Sequence, residues 1–324
     1  MTEMNIIQAL NSTLHAQFAK DDRLLLFGED VGHFGGVFRV STGLQKAFGE
    51  ERCFDTPLSE QGIVGFGIGI AQKGLKPICE IQFADYIFPA YDQIVNELAK
   101  MRYRTGNQYT APLVIRCPYG GGIHGGHYHS QSPEAQFLHT PGLVIVFASS
   151  PYDAKGLFIS AIQSDDPVIF FEPKRIYRSI KEEVPAEEYS IPLGKAHLAC
   201  TGKDITLIGW GAQHHQNMQA AAEMTKEGIE VEVLNLRTLN PLDIDCIIES
   251  VKKTGRCLIT HEAPLTMGFG AEIAAQVMEN CFYSLQVPVK RCCGWDTPFP
   301  NAWEKEYLPD AYRIVHSLRE MLRE

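Results

Sequence analysis

The chain has 324 residues, with 29 Lys and Arg against 39 Asp and Glu, and a formal charge of −10. Hydrophobic residues make up 45% and charged residues 21%, a globular composition that excludes a disordered chain. The acidity argues against a nucleic-acid partner, and the length allows about two domains.

In chain order, residues 5–19 place Ile6, Leu10, Leu14 and Phe18 on one helical stripe. A strand is expected at 24–28 (LLLFG). The glycine cluster in SEQGIVGFGIGIA, with Gly62, Gly65, Gly67 and Gly69, reads as a small-residue helix packed closely on a neighbour. It is no GxGxxG, because Ile70 and Gln72 stand where the third glycine is required. Next come a strand at 76–84, a helix at 90–104 with Ile94, Leu98 and Met101 inward, and a strand at 113–117. After the glycine- and histidine-rich CPYGGGIHGGHYHSQSPE, Ser132 and Pro133 predict a helix start. A strand at 143–148 and a helix at 151–163, capped by Ser150 with Pro151 first, precede a strand at 167–172.

Residues 178–200 are charged, contain prolines and lack periodicity, so a boundary is placed near 190. Beyond it, strands at 204–210, 230–236 and 256–262 alternate with helices at 212–227, 241–253, 270–282 and 309–323. Continuous β-branched apolar strands alternating with helices indicate an α/β fold with two domains, 1–190 and 191–324, each a mostly parallel sheet flanked by helices.

No apolar run approaches 18 residues, so no transmembrane helix is expected. The N-terminus lacks a basic region followed by an apolar one, which predicts a cytoplasmic chain or a mature form of an imported one. Nine cysteines with no CxxC are expected to be buried, reduced thiols.

Several residues are candidates for chemistry. Glu60, at the entrance of the glycine-rich helix, is either a charge favoured by the helix dipole or a functional acid. Gly120, Gly122 and Gly125 match GxGxxG after a strand, which raises the reading of an NAD-binding oxidoreductase. Against it, the helix begins late, and the next strand ends in Ser149 and Ser150 rather than an acid. His124, His127 and His129 could hold a metal, but no acid or Cys lies within their cluster. A glycine-rich loop that lets backbone and imidazoles approach a ligand explains them better. There is no P-loop, and no Gly-Asp-Gly followed by a downstream Asn.

TPLSEQGIVGFGIGIA, EIQFADYIFPAYDQIVNELAKMRYR, GGHYHSQSPEAQF, PYDAKGLF, DPVIFFEPKR, LRTLNPLD and GWDTPFP occur in this order along nearly the whole chain. Together they resemble the β subunit of the thiamine-diphosphate-dependent 2-oxo acid dehydrogenases, the first component of the multienzyme complexes. QFADYIFPAYDQ and HSQSPEA are closer to the branched-chain type than to the pyruvate type.

The resemblance implies a pyrimidine-binding domain followed by a transketolase-type C-terminal domain. It places the glutamate that hydrogen-bonds the cofactor's pyrimidine nitrogen at Glu60. Apolar neighbours Leu58, Ile63 and Val64 suit a carboxyl that shares a proton. It makes Leu58 a backbone contact, Gln82 and Tyr86 pyrimidine contacts, and Phe83 and Tyr86 aromatic surface. His129 matches the active-site histidine, which would act on the covalent intermediate or assist acyl transfer to the lipoyl sulfur. His124 and His127 would line the channel.

The missing Gly-Asp-Gly…Asn then gains a meaning. The resemblance implies an α subunit that holds Mg²⁺ and the diphosphate, an α2β2 heterotetramer, and a lipoyl acyltransferase core as further partner. It also implies a potassium held by the backbone carbonyls of Leu113, Ala161 and Asp166, although Ser164 and Asp166 depart from the family's side chains there. His261 and Glu262, ending a strand, are expected in interface or capping roles. Glu304, Glu306, Asp310 and Glu324 are expected to suit a basic segment of the acyltransferase. The same residues also admit a pyruvate-specific enzyme or a noncatalytic β-like scaffold. Intact Glu60, Gln82, Tyr86 and His129 argue against the scaffold.

Overall fold

Strands rich in Leu, Ile, Val and Phe are buried on both faces when helices cover a parallel sheet. The computed structural model, which describes Met1–Arg323, bears this out. Its strands are β1 Thr2–Met4, β2 Leu24–Gly28, β3 Cys53–Asp55, β4 Lys76–Glu80, β5 Val114–Tyr119, β6 Val144–Phe147, β7 Val168–Pro173 and β8 Glu182–Val184. They continue with β9 His197–Cys200, β10 Ile205–Gly209, β11 Val231–Asn235, β12 Thr238–Asn240, β13 Cys257–Pro264 and β14 Lys290–Gly294. The α-helices are α1 Ile6–Phe18, α2 Leu44–Phe48, α3 Glu60–Ala71, α4 Met101–Arg104, α5 Glu134–Leu138, α6 Pro151–Gln163, α7 Gln213–Thr225, α8 Ile244–Thr254, α9 Gly270–Cys281, α10 Glu304–Tyr307 and α11 Ala311–Arg323.

The chain divides into two compact units. The first holds residues 1–119 and 136–193, and the second holds 120–135 and 194–324. Residues 120–135 therefore pack with the second unit, a placement that a single linear boundary near 190 does not express.

In the first unit, strands lie in the order β6-β7-β5-β4-β2-β3, all parallel. Helix α1 is started by a capping box in which Asn5 and Gln8 exchange side-chain to backbone bonds of 2.9 Å. It packs on α6, whose N-cap Ser150 accepts from Asp153 N–H at 3.2 Å with Pro151 first, as predicted. Tight packing explains the glycines of α3 at one position above all. A Cβ on Gly67 would lie 2.7 Å from Leu113 Cδ1 and 2.8 Å from Cys79 Sγ.

The second unit has the strand order β14-β13-β10-β11-β9, parallel except for β9. Its core gathers Leu207, Val233 and Leu258 from the sheet with Met224 of α7 and Ile314 and Leu318 of α11.

Three expectations differ from the structure. The single helix at 90–104 is instead a 3-10 turn at Phe88–Ala90, a π-helix at Gln93–Leu98, and α4. The Ala99 N–H reaches back five residues to Ile94 O, so Ile94, Leu98 and Met101 are still buried although the backbone is not α-helical. The segment 178–200 carries β8, which pairs antiparallel with β1, and also β9. The helix after the histidines begins at Glu134, and Ser132 Oγ is buried without a hydrogen-bond partner among the described residues rather than capping it.

All nine cysteines are free thiols. No helix among the described residues is long and apolar enough to cross a membrane.

Candidate active site

Ligands of open parallel sheets bind beyond the carboxyl ends of the strands. In the first unit the predicted site residues follow two strands of one sheet. Leu58 and Glu60 follow β3, while Gln82 and Tyr86 follow β4. Between these strands, β2 delivers a residue the sequence reading missed, Glu29.

Glu60 is the first residue of α3, beside the N-cap Ser59, whose Oγ accepts from Gly62 N–H at 3.4 Å. Its carboxyl is half-buried and makes no ion pair or side-chain hydrogen bond with any described residue. A helix N-terminus favours the anion, and nothing among the described residues consumes its lone pairs. The Leu58 side chain is 85% exposed, so in this unit it forms surface rather than core.

Glu29 is buried, and neither of its carboxyl oxygens has a hydrogen-bond partner among the described residues. Burial pushes this carboxyl up to about 7, helped by the negative charges of Glu60, Asp30 and Glu80. A buried carboxyl whose ionised form is disfavoured thus sits in the field of Glu60. The signal was present in the sequence, as an acid directly after the apolar run LLLFG.

Gln82 Nε2 donates to Asp30 Oδ2 at 3.1 Å and to Glu29 O at 3.5 Å, which ties the β4 end to the β2 end. Tyr86 closes the 3-10 turn Ala84–Tyr86, and its ring meets Phe83 edge-on at 5.9 Å. Phe83 in turn meets Phe38 at 5.4 Å and carries Lys174 Nζ 5.3 Å from its ring centre. Arg116 is fully buried between Glu80 and Glu172, bonding Glu172 at 2.7 and 2.9 Å, while Tyr177 donates to Glu172 at 2.7 Å. Burial raises the Glu80 carboxyl against the opposing pull of Arg116.

The three carbonyls expected at a potassium each already accept one bond. Leu113 O accepts from Val168 N–H at 2.9 Å, Ala161 O from Ser164 N–H at 3.2 Å, and Asp166 O from Ser164 Oγ at 2.9 Å. The Asp166 carboxylate is taken by Arg102 at 2.6 Å.

In the second unit the histidine loop is wound by positive φ at Gly120, Gly122, His124 and Gly126. His129 donates its backbone N–H to Gly126 O at 3.3 Å, and its ring Nδ1 meets Gly125 O at 3.3 Å. A carbonyl only accepts, so Nδ1 carries the proton of the neutral ring. His124 and His127 are exposed, and no three-ligand cluster of His, Cys, Asp or Glu exists among the described residues.

Two acids hold this loop. Glu262 Oε2 accepts from Gly121 N–H at 3.1 Å. Glu304, expected on an acidic surface for a basic partner, is instead 4% exposed and accepts from His124 N–H at 3.1 Å. Its place at the start of α10 turns it inward, so it offers no surface charge. Glu306 and Asp310 are exposed, and Glu324 lies outside the described residues. Nearby, Glu134 is buried and accepts from Trp210, and burial pushes its carboxyl up to about 8, with the charge of Glu262 adding to the rise.

The chain matches the family model "Transketolase, pyrimidine binding domain" over residues 2–179 and "Transketolase, C-terminal domain" over 194–314. It is 55% identical to the mitochondrial 2-oxoisovalerate dehydrogenase subunit beta of Dictyostelium discoideum, across 99% of this chain and 87% of that one. It is 45% identical to a pyruvate dehydrogenase E1 component subunit beta of Staphylococcus epidermidis, across 99% of each. A solved split-gene transketolase in an inactive β4 tetramer superposes with a TM-score of 0.79 at 20% identity, covering 99% of this chain and 98% of the other, and so shares the fold.

Proposed function

The chain belongs to the β subunits of the thiamine-diphosphate-dependent 2-oxo acid dehydrogenases, and from that premise we propose that it works on branched-chain 2-oxo acids together with an α subunit. The assembled enzyme would oxidatively decarboxylate these acids and reductively acylate the lipoyl group of an acyltransferase core. One observation carries the assignment of the centre. Glu60 stands at the head of α3, beyond a strand end, with no ion pair or side-chain hydrogen bond among the described residues, beside the buried Glu29 whose ionisation its charge opposes. A carboxyl with open lone pairs fits a pyrimidine ring nitrogen. When bound, thiamine diphosphate supplies a carbanion at its thiazolium carbon.

The chain's own residues bind and orient. Glu60 shares a proton with the pyrimidine nitrogen. The Leu58 backbone meets the amino group, Gln82 bonds the ring edge, and Tyr86 with Phe83 offers aromatic surface, worth about 0.5–1.5 kcal/mol for a stacked ring. His129 moves a proton at the substrate-derived oxygen or at the lipoyl sulfur. We assign Mg²⁺ and the diphosphate to the α subunit of an α2β2 assembly, a reading supported by the lack of a Gly-Asp-Gly…Asn motif in this sequence. The carbonyls of Leu113, Ala161 and Asp166 would cradle a potassium through their second lone pairs, and thermal stabilisation by K⁺ but not Na⁺ tests this. The two expected compartments, bacterial cytoplasm or mitochondrial matrix, fit the sources of the relatives.

The test is reconstitution with an α subunit. Glu60→Gln should lower turnover by about 10²-fold or more with the complex intact. Unchanged turnover removes Glu60 from the mechanism, and turnover by the chain alone removes the α subunit. The second reading, a pyruvate enzyme, is favoured by the Staphylococcus relative. A higher kcat/KM for pyruvate than for branched 2-oxo acids would select it.

A further inference from the structure

The histidine loop leaves the first unit after Tyr119 and returns at Gln136, yet it packs with the second. Its backbone N–H groups point at two buried carboxylates of that unit. Gly121 N–H meets Glu262 Oε2 at 3.1 Å, and His124 N–H meets Glu304 Oε2 at 3.1 Å and Oε1 at 3.4 Å. Both acids are almost fully buried, at 6% and 4% exposure. Charge-assisted bonds to backbone N–H are roughly twice as strong as neutral ones. His124 holds φ at 56°, a conformation that a non-glycine residue keeps only when its surroundings enforce it.

The loop is also shaped around these anchors. A Cβ on Gly120 would lie 2.7 Å from Glu262 Oε2, and one on Gly121 would lie 2.5 Å from Phe299 Cζ. Phe299, Tyr307 and Leu308 form a small buried cluster flanking Glu304 in sequence, so the anchor is itself fixed. The connection onward to His129 is short. Glu304 fixes His124, the next residue Gly125 gives its carbonyl to the His129 ring, and Gly126 gives its carbonyl to the His129 backbone.

We propose that Glu304, with Glu262 as a second anchor, is a positioning residue that sets the His129 imidazole by holding the loop backbone. The proposal rests on the proposed role of His129 in turnover. Neither acid touches substrate or cofactor in this scheme. They act through the loop, as an outer support that keeps a reacting group within a fraction of an ångström of its working place.

The experiment uses the complex reconstituted with its α subunit, assayed with lipoyl acceptor. The expected result is that Glu304→Ala lowers kcat by about tenfold or more while the cofactor concentration at half-saturation stays within about twofold. Glu304→Gln, whose amide oxygen still accepts from His124 N–H, should recover most of the loss. The pH limb that His129→Gln abolishes should move in Glu304→Ala. In a His129→Gln background, Glu304→Ala should cost no further activity, because nothing is left to position. An equal loss in both backgrounds, or no loss in either, overturns the proposal. Full turnover by His129→Gln itself overturns the role of His129 and the proposal with it. Where the alanine variant does not assemble, Glu304→Asp, one methylene shorter, puts the same bond to the same cycle.

Discussion

The raised Glu29 carboxyl makes stability depend on pH with a definite sign. Its ordinary value is 4.5 and burial takes it to about 7. Between these values the unfolded chain has released the proton while the folded chain keeps it. The folded state binds more protons there, so stability falls as pH rises. The contribution is fully present below about 4.5 and is gone above about 7. A rise of about 2.5 units at 1.36 kcal/mol each gives about 3 kcal/mol lost across the window. Glu29→Gln keeps the shape and removes the titration. The isolated chain and this variant would be unfolded in urea at points from roughly pH 4.5 to 8.5. The amide's own cost is constant with pH, so only the difference between the curves matters. We expect the variant to gain about 3 kcal/mol on the parent between the ends of that range, with the curves parallel above about pH 8. Adding Glu60→Gln should shrink the step, since Glu60 is the largest charge contribution to the rise. A difference independent of pH would falsify the placement of Glu29 as a buried acid among acids.

Two further predictions concern packing. Gly67→Ala drives a Cβ to 2.7 Å from Leu113 Cδ1 and should destabilise by about 1–3 kcal/mol, whereas Gly69→Ala, with nothing within 4 Å, should stabilise α3 by about 0.5–1 kcal/mol. Thermal midpoints moving in the same direction for both contradict the close packing of α3. Arg116→Met strands Glu80 and Glu172 without their buried cation and should lose about 3–5 kcal/mol, read as a lower urea midpoint. An unchanged midpoint means the cluster does not support the strand ends.

Local periodicity was enough for the long buried strands. LLLFG, LVIVFA and PVIFFE all lie in the first sheet, because continuous apolar character has one outlet in a covered parallel sheet. Ser150–Pro151 was legible for the same local reason. Short strands such as β8 and β9 were not, because three or four residues with exposed charged neighbours carry no period. Residues 90–104 kept the inward pattern of a helix while the backbone took another pitch, which spacing by three and four cannot separate. Glu60, Gln82, Tyr86 and His129 are singled out by resemblance alone, because spacing and periodicity give none of them a ligand. Glu304 was misjudged because an acid among acids near the C-terminus has the sequence profile of a solvated surface. Its partner, a backbone N–H 180 residues away, leaves no trace in local sequence.

That separation also has a temporal side. The histidine loop leaves the ribosome 141 residues before Glu262 and 180 before Glu304. At about 5–20 residues per second, the later acceptor arrives about 10–35 s after the donor it must meet. The first unit can complete its parallel sheet within that interval, whereas Gly121 and His124 stay hydrated until the second unit is nearly finished. The loop that carries His129 is thus among the last parts of the chain to settle, and truncation ahead of Glu304 removes one of its two acidic anchors.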